Sequence, residues 1–150
     1  MRENGPVIYE KINTEKGSIA KIMLNRPAHG NRIDGEMWHD FMEAVDLASA
    51  DREVRVVIFG GIGEDFCCGF DTGDPSVSLN ANEDGVISFA DRRENTWEEV
   101  DTWLKIYNMR KPTICMAQGT VLGGGWLIAM SCDCICAAEN AVFDNTEYAM

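Results

Sequence analysis

Histidine is scarce in this chain, basic residues are outnumbered, and no apolar run is long enough to cross a bilayer. The two histidines are His29, in a loop, and His39, on the polar side of an expected helix. Neither reads as a catalytic base. Thirteen Lys and Arg stand against 25 Asp and Glu, a formal charge of −12. That balance argues against nucleic acid and anionic membrane surfaces as main partners. Met1–Gly17 has no apolar core of the signal-peptide kind, so none is expected. There is no G-x-S-x-G elbow, which argues against a serine hydrolase. There is no internal repeat and no clear linker.

No C-x-x-C pair occurs either. The six cysteines stand at 67, 68, 115, 132, 134 and 136. Zinc sites favour cysteine pairs with two to four residues between them, as in C-x-x-C, plus a second pair or histidines. Cys132, Cys134 and Cys136 instead alternate, which places them on one face of a strand. They are expected to be unliganded core residues, because free cysteine is among the most buried residue types. No metal is expected, and cysteines used this way point to a reducing cytoplasm.

What is present is one domain's worth of alternating strands and helices. A chain of 150 residues buries roughly 68–70% of its unfolded surface on folding. Val7–Ile12 and Ser18–Leu24 read as a hairpin around Asn13–Gly17. Asp34 is the expected N-cap of a helix running to about Ala50, with Ile33, Met37, Phe41, Val45 and Ala48 as its buried stripe. Val54–Phe59 is an apolar, β-branched strand. Thr72–Asp84 reads as a loop. Residues 86–109 read as a long amphipathic helix with Ile87, Ala90, Trp97, Val100, Leu104 and Tyr107 on its apolar face. Strand Thr113–Ala117, a helix-compatible run Trp126–Ser131, strand Cys132–Ala137 and a short strand at Ala141–Phe143 follow. The class is α/β.

Two glycine-rich stretches follow two of these strands. After Val54–Phe59 comes GGIGEDFCCGFDTGD. After Thr113–Ala117 come Gly119 and then Gly123, Gly124 and Gly125 at the mouth of a helix. Glycines there are costly, because glycine loses the most backbone freedom on folding. One reading is a site where something approaches the backbone and meets the unpaired N–H groups of the helix's first turn, an anion or oxyanion site. The other is a tight strand-to-helix turn with close packing. Gly61-Ile62-Gly63 after a strand also admits a dinucleotide-binding turn. That reading fails at the next step, because Phe66 stands where the third glycine belongs and CCGFDTGDP does not open a helix.

Three stretches together resemble one family. FCCGFD is similar to the crotonase pattern of aromatic, small, small, Gly, variable, Asp. KPTICMAQGTVLGGGWLIAMSCDCICAAENAVFD resembles that family's second signature almost throughout, and LNRPAHGN resembles its N-terminal one. The resemblance runs from about Ile8 to Glu147. It implies a spiral of stacked ββα turns, the Clp peptidase/crotonase fold, as a single domain over 1–150 that is expected to be incomplete at its C-terminus. It is specific for fold and less so for reaction, since one scaffold hosts many chemistries.

The resemblance also implies site residues. The N–H groups of Phe70 and Gly124 would hold a thioester oxygen as it becomes an enolate, with Gly69, Asp71, Gly123, Leu127 and Arg32 around the substrate. Family hydratases carry a Glu two residues after the glycine triplet, where this chain has Leu127. Their second Glu matches Glu147. Hydration divides its proton work between two carboxylates. One suffices to move a proton between carbons, so isomerase-like transfer by Glu147 is favoured over hydration. Asp144 and Tyr148 are possible helpers. The implied partner is an acyl-CoA, with coenzyme A part of the substrate and no separate cofactor, in a homotrimer or hexamer if the chain is complete. Its phosphates would need local basic groups. Arg26, Arg32, Arg92, Arg93, Arg110 and Lys111 are candidates, most of them expected as plain surface. A hydratase with its base from elsewhere, a hydrolase, and a non-catalytic acyl-CoA-binding or assembly subunit are the alternatives.

Overall fold

In a computed structural model, residues 5–74 and 100–145 are described. Strands β1 (Val7–Thr14) and β2 (Gly17–Leu24) form the expected antiparallel hairpin, closed in register from Val7–Leu24 to Thr14–Gly17. A 3-10 turn at Pro27–His29 leads to α1 (Gly35–Ala50). The Asp34 carboxylate caps α1, accepting from the Met37 N–H at 2.8 Å. The face that α1 buries holds Met37, Phe41, Ala44, Val45 and Ala48, together with Asp40. It lies on the hairpin and on β3 (Val54–Gly61). Helical residues 100–107, here α2, precede β4 (Thr113–Ala117) and β5 (Thr120–Leu122). Then come α3 (Gly124–Met130), β6 (Cys134–Ala137) and β7 (Val142–Asp144).

The main sheet has the order β1-β2-β3-β4-β6, and every pairing after the hairpin is parallel. A second ladder runs beside it. After β2 the chain passes Ile33, which bridges Phe70; after β3 it passes Cys67, which bridges Val121; β5, after β4, pairs with β7, after β6. Each turn thus adds a strand to the main sheet and a short segment to the minor one. That repetition is the spiral of stacked turns.

Residues at the centre are apolar and closed to solvent: Ile22, Val57 and Phe59 from the sheet, Met37 and Phe41 from α1, Phe66 from the loop after β3, and Ile128 from α3. Phe41 and Phe59 meet with ring centroids 5.9 Å apart. Polar ends are tied off locally. The Asp133 carboxylate accepts from both the N–H and the hydroxyl of Thr113 at 2.8 Å, and these bonds hold it below the usual carboxylate range.

Two expectations fail. The apolar face assigned to the second helix is the wrong one where it can be seen: Val100, Leu104 and Tyr107 are 37%, 43% and 70% exposed. The buried residues are Thr102, Trp103 and Ile106, because Trp103 meets Trp38 of α1 edge-on at 5.2 Å. Apolar residues at 100, 103, 104, 106 and 107 fit either of two helical stripes, and only the tertiary contact selects one. Ile87, Ala90 and Trp97 lie outside the described residues. The cysteines also differ. Cys132 precedes β6 and is half-buried, while Cys134 and Cys136 are exposed together with the rest of the strand. Their strand is the last of the sheet, bonded only to β4, and among the described residues nothing covers it. All six thiols are free.

Truncating Phe41 to Ala is expected to lower unfolding free energy by about 3–5 kcal/mol in a denaturant titration, from lost burial and the cavity left behind. Tyr107→Ala, on the exposed side of α2, is expected to stay within about 0.5 kcal/mol of wild type.

Candidate active site

Three loops, each leaving the end of a parallel strand, come together in the minor ladder. The first, 26–33, is folded around Asn31. This residue is fully buried and holds a left-handed φ of 52°, alone in that among the described non-glycine residues. Its side-chain oxygen accepts from the Arg26 N–H at 2.8 Å. Its amide nitrogen donates to the carbonyls of Ile62 at 3.0 Å and Asp65 at 2.8 Å. The second loop is thereby fixed to the first. The third is fixed to the second by Asp65, whose carboxylate accepts from the Thr120 N–H at 2.8 Å. Bonds from Thr120 hold Asp65 below the ordinary carboxylate range. Phe66 N–H to Gln118 O, Cys67 N–H to Thr120 O and Leu122 N–H to Cys67 O continue the seam at 2.8, 3.0 and 2.9 Å.

This frame decides where Phe70 sits. Cys68 donates to Gly30 O, Ile33 donates to Gly69 O, and Asp71 donates to Ile33 O, at 2.9, 2.9 and 2.8 Å. Ile33 thus engages the carbonyl before Phe70 and the N–H after it. Backbone groups of successive extended residues point to opposite sides, so the Phe70 N–H faces away from Ile33. On that other side lies the third loop. Gly69, at a left-handed φ of 93°, would bring a Cβ within 3.6 Å of Leu122 O and 3.9 Å of the Gly123 Cα. Gly123 turns the chain at φ 46° into α3. The first bond of α3 runs from Leu127 N–H to Gly123 O at 2.9 Å. The Gly124 N–H therefore precedes the helical ladder, one of the donors a helix N-terminus leaves unpaired.

Close packing requires glycine at 124 and 125, as the tight-turn reading of the triplet expects. A Cβ on Gly125 would stand 2.5 Å from the Cys67 Cβ, and one on Gly124 2.9 Å from Ile33 Cδ1 and 3.0 Å from the Phe70 ring. The Phe70 ring is further walled by Trp38, centroids 6.0 Å apart. Leu127, one turn into α3, is half-buried against the core. Burial pushes the Cys67 thiol up to about 12, so it stays protonated and is no nucleophile.

The charged candidates divide. Arg26 is 18% exposed and is paired with Asp34 at 3.1 Å and Asp71 at 3.2 Å, so Asp71 braces the loop after Phe70. The Lys111 ammonium donates to the carbonyls of Ala48 and Asp51, where burial lowers its pKa. Arg32 is exposed beside Cys68, and Arg110 is exposed. Asp144 is exposed in β7. Arg92, Arg93, Glu147 and Tyr148 lie outside the described residues. No helix follows Gly61-Ile62-Gly63 through residue 74, which removes the dinucleotide reading. Among the described residues His39, Asp40 and Glu43 are the group able to share a cation, with ligand atoms within 4.8 Å, but they lie on α1 and outside these loops. Sequence reasoning missed Asn31 and Asp65. A Gly-Asn pair after Pro27 is a turn signal that could have marked Asn31, since Asn tolerates the left-handed region. Asp65 has no such local signal, because its partner is 55 positions away.

A spiral of stacked turns with two glycine loops converging beside an aromatic wall defines the crotonase-like class. The family profile for enoyl-CoA hydratase/isomerase matches residues 14–150, and the chain belongs to that family. It is 34% identical over 158 aligned residues to EchA13 of Mycobacterium tuberculosis, which carries an enoyl-CoA hydratase name, covering 95% of this chain and 48% of that one. The crystal structure of an enoyl-CoA hydratase/isomerase from Xanthobacter autotrophicus Py2 superposes with a TM-score of 0.79 at 33% identity, over 95% of this chain and 49% of that one. An enoyl-CoA hydratase from Mycobacterium smegmatis superposes with a TM-score of 0.75 at 27% identity, over 93% and 49%. The chain spans about half the length of the curated relatives it matches.

The ionised Asp65 accepts one of the bonds that join the second and third loops. A carboxyl held low in the folded state stabilises above its unfolded pKa, and that contribution is lost as pH falls through the folded value. Asp65→Asn is therefore expected to lower Tm at neutral pH. The difference from wild type should shrink as pH drops below the ordinary Asp range. Thermal melts of both proteins between neutral and acid pH read it directly.

Proposed function

We propose that this chain carries the oxyanion-binding part of an enzyme that acts on acyl-CoA thioesters, and that its chemistry is transfer of a proton alpha to the thioester carbonyl. The observation that carries the reading is the pair of backbone donors: the Phe70 N–H turned away from Ile33, and the Gly124 N–H ahead of the helical ladder, on loops whose backbones touch. Removing an alpha proton places negative charge on the carbonyl oxygen. A preorganised donor aimed there contributes about 2.7–4 kcal/mol to the transition state. Backbone donors held by a bonded frame need no reorganisation as the charge forms.

Glu147 is the proposed acid/base. Leu127 stands where hydratases of this family have a carboxylate, and leucine can neither accept a proton nor order a water. An apolar wall raises the pKa of a neighbouring glutamate, since burial disfavours its charged form. That suits it to proton shuttling near neutral pH. The substrate supplies coenzyme A, and no further cofactor is required by this chemistry. A homotrimeric or hexameric assembly and a cytoplasmic location belong to the same proposal. No described helix is long and apolar enough to cross a membrane. The second reading is hydration with a base from another part of the protein, and the hydratase names of the relatives favour it.

Isothermal titration with a panel of acyl-CoAs, followed by turnover of 2-enoyl and 3-enoyl thioesters by the full-length protein, separates these readings. Glu147→Gln is expected to cost at least about 10²-fold in proton transfer, the low end for a positioned acid/base. Leu127→Glu is expected to raise hydration of 2-enoyl-CoA. Robust hydration by wild type, undiminished in Glu147→Gln, would contradict the single-carboxylate reading.

A further inference from the structure

We infer that Asn31 is the positioning residue for the Phe70 amide: its side chain fixes the loop that aims this donor at the thioester oxygen. The inference rests on the oxyanion reading above and adds a residue that the chemistry itself does not touch.

The amide of Asn31 is fully used. Both hydrogens and the oxygen have backbone partners, at Ile62, Asp65 and Arg26. It is buried to 0% exposure and sits at a left-handed φ that most L side chains avoid and Asn tolerates. Two routes lead from it to the residue after Phe70. The first is the backbone: two positions on, Ile33 accepts the Asp71 N–H and donates to Gly69 O. The second is Arg26, whose N–H bonds the Asn31 side chain and whose guanidinium reaches Asp71 at 3.2 Å. The first route ends on the peptides before and after Phe70, and the second on the carboxylate of the next residue, Asp71. A loosened Asn31 frees that donor to turn without emptying the core.

Two variants separate the staple from the backbone angle. Asn31→Gly adopts φ 52° without strain but has no side-chain bonds. Asn31→Asp keeps the shape and the oxygen facing Arg26 but replaces the two donated bonds with an acceptor. In the full-length protein, kcat for alpha-proton exchange of an acyl-CoA in D2O is expected to fall about 10–100-fold in both, as for a misplacement of about 1 Å, with KM within about twofold. Hydrogen exchange of the Asp71 amide is expected to speed at least tenfold in both, while amides of α1 keep their wild-type protection. A Gly variant with wild-type kcat, or a kcat that falls only in proportion to the folded fraction, overturns the inference. If wild type itself exchanges no alpha proton, the oxyanion reading fails on its own. The Asp71 amide then decides for Asn31: faster exchange in both variants upholds the staple, and unchanged exchange overturns it.

Discussion

The structure depends on side-chain amide and carboxylate groups bonding to backbone across loops. Asn31 ties the loop after β2 to the loop after β3, and Asp65 ties the loop after β3 to the loop after β4. Parallel strands deliver such loops to one end of the sheet but leave their peptides unpaired. A backbone group buried without a partner costs about as much as a lost hydrogen bond. Asn31 and Asp65 meet part of that need, and the minor ladder at Ile33–Phe70 and Cys67–Val121 meets more of it. The peptides turned away from these bonds are the ones free for other work.

Glycine makes the arrangement physically possible. At Gly124 and Gly125 the loops after β2 and β3 lie so close to α3 that any Cβ would overlap Ile33, Phe70 or Cys67. The same closeness brings the two donor loops within reach of one another and walls them with the Phe70 ring. Close packing and the proposed donor role make the same demand of these residues, so residue identity alone does not separate them.

Much of this was legible in the sequence. The hairpin, the Asp34 cap, the α1 stripe and strand β4 follow from local periodicity and capping chemistry, and these elements stand where expected. The glycine loops marked the ends of β3 and β4, and the resemblance supplied the spiral that periodicity cannot encode. What was not legible depends on partners distant in sequence. The exposed stripe of α2 is as apolar as the buried one, and Trp38 selects between them. Strand β6 alternates like a half-buried strand yet ends the sheet. Strand β5, only three residues long, has too little sequence to show a period. Arg26 reads as a surface cation, but Asp34 and Asp71, both remote from its own turn, draw it into the frame.

In the proposed function one oxygen is held by two backbone donors from adjacent loops. The most direct test is a crystal structure of the full-length protein with an acyl-CoA analogue that mimics the enolate. The analogue's oxygen is expected about 2.7–3.1 Å from both the Phe70 and Gly124 nitrogens, the range for a donor on a developing oxyanion. An oxygen bonded elsewhere, with those two N–H groups facing water or protein, would contradict it.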